Sequence, residues 1–127
     1  MKGTVMRAFA SLLLVSLFAA APAAAGPLPV KVGQCTTTTI KTIGTRLDGV
    51  ADSGDAVTYA NGGYQVSYGR IEGLKGARVG DAVKLCLTEM PDDCPPGDDR
   101  GKTYKATDLR THKDWQAMNS EHMCGGA

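Results

Sequence analysis

Aromatic residues make up only 6% of this 127-residue chain, with two phenylalanines and a single tryptophan, and there are only two histidines. No C-x-x-C pair is present and the cysteine spacing fits no zinc-ligand pattern, which excludes a zinc-ribbon type of domain. The absence of a Gly-x-Ser-x-Gly segment excludes the strand-turn-helix elbow that carries the serine of α/β hydrolases. Nowhere is an apolar period of 3.6 residues sustained over ten positions, so a helical bundle is excluded as well. There is no internal repeat. Nor is there a basic excess: 14 Lys and Arg face 13 Asp and Glu, and the basic residues are scattered, so the footprint of a nucleic-acid binder is missing. Long hydrophobic runs are also lacking beyond one, at residues 8–21, and that one is shorter than the ~20 residues a membrane-crossing helix needs.

That run has its own explanation. Lys2 and Arg7 precede it, Leu12, Leu13, Leu14 and Val15 form its centre, and Pro22 breaks it before Ala23, Ala24 and Ala25. This is the layout of a secretory signal peptide with a small-residue cleavage site. Residues 1–25 are therefore expected to be removed, leaving 102 residues with 12 basic and 13 acidic side chains and no further apolar span. The expected destination is the periplasm or the medium. Four cysteines in a small exported chain read as two disulfides. Three pairings exist, and short loop closure favours Cys86 with Cys94, leaving Cys35 with Cys124 to tie the two ends together.

What remains reads as β-structure. Residues 26–33, with Pro27 and Pro29, form an extended and loosely held lead-in, and residues 34–127 a single domain. Thr36 to Thr39, Ile40, Thr42 and Ile43 are β-branched, which suits a first strand ending by Leu47. Asn61-Gly62 between two alternating segments marks a hairpin with a two-residue turn. That register places Tyr59 opposite Tyr64 and Val57 opposite Val66 on one face, with Thr58 and Gln65 on the other. The tyrosine pair is either cross-strand packing or an exposed recognition patch. Ile71 and Leu74 are inward anchors of an irregular stretch. Val83, Leu85 and Leu87 alternate in a half-buried strand that places Cys86 on the opposite face. Residues 103–109 form a further strand, and Trp115 begins a short last one facing Leu109. The expected fold is mainly β, a small antiparallel barrel or sandwich of five or six strands, stapled by disulfides.

Chemistry concentrates in two places. Asp92, Asp93, Asp98 and Asp99 ring a proline-rich loop that also carries Arg100; such carboxylates suit a hard cation such as Ca²⁺, although the spacing is not that of the twelve-residue calcium loop. Without a cation they form a solvated turn, with Asp98 or Asp99 pairing with Arg100. The tail offers Met118, His122 and Met123, which with His112 would suit a soft metal. No cofactor is implied beyond such a metal. Ser120, His122 and Asp114, or Ser53 with a histidine, supply the residue types of an acyl-transfer triad, and Glu121 with His112 or His122 those of a ribonuclease. Such sites are recognised by geometry rather than by composition.

Gly80-Asp81-x-Val83, Cys86-Leu87, Cys94-Pro95-Pro96-Gly97-Asp98-Asp99-Arg100-Gly101, Leu109-Arg110-Thr111 and the ending Cys124-Gly125-Gly126-Ala127 together resemble a group of small exported bacterial proteins of unassigned function. The resemblance spans most of the chain after the leader and implies no activity, cofactor or catalytic residue. The expected function is that of a non-catalytic exported domain that binds a protein or an envelope component, for example as a hydrolase inhibitor, through the acidic loop. A metal-binding protein and a small secreted hydrolase are the alternatives.

Overall fold

The computed structural model describes residues 3–4, 11–18 and 25–126. Lys2, Arg7, Pro22, Ala23 and Ala24, on which much of the leader reading rests, lie outside the described residues, and no described helix is long and apolar enough to cross a membrane. Six strands follow: β1 (Cys35–Thr45), β2 (Asp55–Tyr59), β3 (Tyr64–Ser67), β4 (Ala82–Glu89), β5 (Thr103–Asp108) and β6 (Asp114–Met118). They close into a barrel in the order β1-β2-β3-β6-β5-β4, with β4 returning to β1. Every pairing is antiparallel. The expected class is thus found, as a barrel rather than a sandwich.

Alternation selects the interior. Ile40, Val57, Tyr59, Val83, Leu85, Leu87, Tyr104, Ala106 and Trp115 point inward and are buried. Ile71, just before a 3-10 turn at Glu72–Leu74, and Leu74, at its end, cap this core. The turn sits so close to β6 that a Cβ on Gly73 would fall 2.2 Å from the Asp114 carbonyl oxygen. The lead-in is better held than its composition suggests. Gly26 N–H donates to Thr37 O, Gly33 N–H donates to Leu87 O, and Leu28 packs on the core.

The β2–β3 hairpin differs by one residue from the expected register. Gly62 N–H donates to Tyr59 O and Tyr59 N–H to Gly63 O, while Gly62 alone in the turn takes a positive φ. This is a three-residue loop with a glycine bulge, not the two-residue turn in which Asn61 would also be left-handed. Thr58 therefore stands opposite Tyr64, and Val57 opposite Gln65. A one-residue slip exchanges the faces, so Gln65 enters the barrel and Tyr64 leaves it. At the other end of the chain, Trp115 faces Ala106 rather than Leu109, because β5 stops at Asp108 and leaves Leu109 in the turn.

The disulfides also correct the expectation. They join Cys35 to Cys86 and Cys94 to Cys124. Cys35 and Cys86 are direct cross-strand neighbours on β1 and β4, on the outer face where the Val83/Leu85/Leu87 alternation places Cys86. Adjacency of two strands far apart in sequence, not the length of the closed loop, decides the pairing. All four cysteines are oxidised, which fits an extracellular or otherwise oxidising compartment.

Candidate functional site

Residues 90–102 connect β4 to β5 without regular structure, yet the segment is fastened along its length. Cys94 is bonded to Cys124 of the tail. Asp98 receives Arg100 Nε at 2.9 Å and Nη2 at 2.8 Å, and Gly125 N–H at 3.0 Å. The Arg100 guanidinium, followed by the Gly125 N–H, holds the Asp98 carboxyl well below the usual carboxylate range. Asn119 Nδ2 donates to Asp99 O, while Asn119 Oδ1 receives Gly101 N–H and Lys102 N–H. Lys102 Nζ reaches Asp99 Oδ1 at 3.3 Å. These bonds have a local cause: prolines 91, 95 and 96 contribute no N–H, so side chains and the tail hold the loop. Asp98 thus turns in on the loop's own Arg100, whereas the Asp99 side chain stays exposed while it pairs with Lys102. Asp92 and Asp93 stay exposed, and neither forms an ion pair among the described residues. Asp93 adopts φ +55°, which Asp tolerates better than most residues.

The remaining sequence candidates are dispersed. His112 lies in the β5–β6 turn, whereas His122 lies beyond the opposite end of that hairpin. Among the described residues no three His, Cys, Asp or Glu side chains group as a metal site would require. Ser120 Oγ donates to the His122 carbonyl and accepts Gly101 N–H, so it braces the loop instead of meeting an imidazole. Asp114 pairs with Lys105, and Ser53 Oγ donates to Val50 O. Met123 packs beside Gly101, and Met118 ends β6 on the outer face. Tyr59 is no surface residue. It is 1% exposed and donates its hydroxyl to Gln65 Oε1, and burial pushes its pKa far above the usual tyrosine value. Tyr64, on the outside, is raised by partial burial and then by the negative charge of Glu121.

Two features escape a reading of the sequence alone. A groove of about 360 Å³ opens at the mouth of the barrel, over Ile43, Ile71 and Leu74, with Asp55, Arg70, Glu72 and Lys75 around it. A second, of about 250 Å³, lies on the outer face where β3 meets β6, lined by Val66, Ser67, Tyr68, Met118, Ser120 and Glu121. Beside it, Arg46 stacks on Tyr68, 4.4 Å from the ring centroid, and donates to Glu121 Oε1 at 2.6 Å. Arg46 and Glu121 are 75 positions apart, so no local spacing announces them. No protein-family model, no curated protein and no solved structure matches the chain.

Proposed function

We propose that this protein is a non-catalytic domain of the periplasm or the extracellular medium that binds a protein or an envelope component through the loop at residues 90–102. One observation carries this reading: the loop is fastened by Cys94–Cys124, the Asp98 clamp and Asn119, while Asp92 and Asp93 remain exposed and unpaired among the described residues. A projection that is already ordered loses little conformational freedom on binding. Two fixed negative charges steer it toward a basic surface and penalise acidic ones. Inhibition of an exported hydrolase with a basic rim to its cleft is one form such binding would take.

The informative substitutions are Asp92→Asn with Asp93→Asn, because removing Asp98 would release the loop itself. A photo-crosslinking residue at position 95 should capture one partner from the native compartment, identified by mass. The double substitution should abolish that adduct and leave the melting curve unchanged. Capture that persists in the double variant, or no adduct in the wild type, would overturn the assignment.

A further inference from the structure

We propose that residues 75–81 and the β5–β6 turn form a docking surface for an anionic lipid bilayer. Val79 and Leu109 enter the headgroup layer there, and Lys75, Arg78 and Lys113 meet the lipid phosphates. The surface stands independently of the function assigned to the acidic loop, which lies at the other end of β5. The three cations are scattered along the sequence, but the fold draws their segments together. Lys113 Nζ donates to Lys75 O at 2.9 Å. Arg110 braces the pair of segments, bonding Gly76 O at 2.6 Å and both carboxylate oxygens of Asp81. Arg78 opens a tight turn closed by Asp81 N–H on Arg78 O, with Val79 and Gly80 at its tip. Leu109 is tied to the end of that turn, through its N–H to Ala82 O.

Val79 is 64% exposed and Leu109 45%. Standing alone, exposed aliphatic side chains are ordinary, but these two stand among unpaired cations. Lys75, Arg78 and Lys113 are exposed and form no ion pair among the described residues. The carboxylates of the same segments, Asp81 and Asp108, are buried, so the charge turned outward is positive. Glu72, exposed in the 3-10 turn just before, lowers that excess without cancelling it. An anionic bilayer matches both features, because its phosphates attract the cations while its interface takes up the aliphatic tips. A nucleic acid would use only the first. Neither segment carries a Phe, Tyr or Trp on which a base could stack, and Val79 and Leu109 would lie against hydrated phosphates. Arg78, Val79 and Leu109 line neither of the two grooves, so the surface is a pair of turn tips, suited to a deformable partner. The acidic loop is separated from it by the six residues of β5, about 20 Å at ~3.3 Å per residue. Docked in this way, the protein turns its exposed aspartates away from the like-charged lipid.

The test is co-sedimentation of the exported protein, its first residue established by mass, with lipid vesicles. One set is phosphatidylcholine alone and the other contains roughly 40% phosphatidylglycerol, which supplies the negative surface potential. The protein should sediment with the anionic vesicles and stay in solution with the neutral ones. Raising the salt from about 0.1 M to about 0.5 M should release it, as screening shortens the reach of the surface charge. Arg78→Gln and Lys113→Gln should each weaken binding by roughly fivefold, whereas Lys31→Gln, which removes a charge from the lead-in, should bind as the wild type does. Val79→Ser with Leu109→Ser should weaken it by roughly tenfold or more. All these side chains are exposed, so the replacements leave the core intact, and a melting curve verifies that. The proposal is overturned if the protein ignores the anionic vesicles, if it binds the neutral ones equally, or if Lys31→Gln weakens binding as much as Arg78→Gln. If the charge variants weaken binding and the serine pair does not, the surface is a plain polyanion site and the bilayer assignment falls.

Discussion

Inside the barrel, Gln65 satisfies both ends of its amide. Its oxygen accepts from the Tyr59 hydroxyl and from Trp115 Nε1, and its nitrogen donates to the carbonyls of Tyr104 and Ala117. A buried amide with every hydrogen-bonding position used ties β2, β3, β5 and β6 together without an unpaired group. Gln65→Leu would strand several polar atoms at once and should cost about 3 kcal/mol or more in urea unfolding; a loss under ~1 kcal/mol would mean that water replaces the amide. Asp81 shows the same logic with charge. It receives Arg110 Nε at 2.8 Å and Nη2 at 2.9 Å, and Arg78 N–H at 2.9 Å. The Arg110 bonds foremost hold its carboxyl well below the usual range. A depressed carboxylate stabilises the fold fully above its unfolded pKa of ~4, and that contribution fades as the pH falls toward the folded value. The wild-type melting temperature should therefore drop below pH ~4, and Asp81→Asn should flatten that acid limb while lowering stability at neutral pH. An acid limb equally steep in the variant would assign the effect elsewhere, Asp98 being the first candidate.

The strands themselves were readable, because β-branched runs and strict alternation are local properties. Val83, Leu85 and Leu87 point where their spacing says, and Ile71 and Leu74 face inward as anchors. Register was less so. Asn61-Gly62 serves both a two-residue turn and a three-residue turn with a bulge, and the two differ in the handedness of Asn61 and in whether Ala60 joins the loop, which nothing in the sequence displays. The disulfide pairing failed for a related reason, since it depends on β4 folding back beside β1. The acidic loop was legible as a place, but not the division of labour within it, where Asp98 and Asp99 fasten and Asp92 and Asp93 project. The segment between β3 and β4 was the least legible, and its function in the fold is close approach. Gly73 lets the 3-10 turn lie against β6, so Gly73→Ala should cost about 2 kcal/mol by overpacking, read from the denaturant midpoint at unchanged slope. An unchanged midpoint would show that the turn can lift off β6 freely.

At the scale of the molecule, closure removes the exposed sheet edges that invite association, but the closure is uneven. β1 and β4 share a continuous ladder from Cys35↔Cys86 to Thr39↔Ala82 and carry a disulfide across it. β3 and β6 meet only at Val66↔Met118, helped by the Gln65 bond to Ala117 and by the 3-10 turn. Local opening draws on the least supported backbone hydrogen bonds first. Native-state amide exchange should accordingly be fastest, among strand residues, at Val66 and Met118, and slowest along β4. The reverse order would mean that the ladder does not set the opening. The barrel thus behaves as a book with a sewn spine at β1–β4 and a fore-edge at β3–β6.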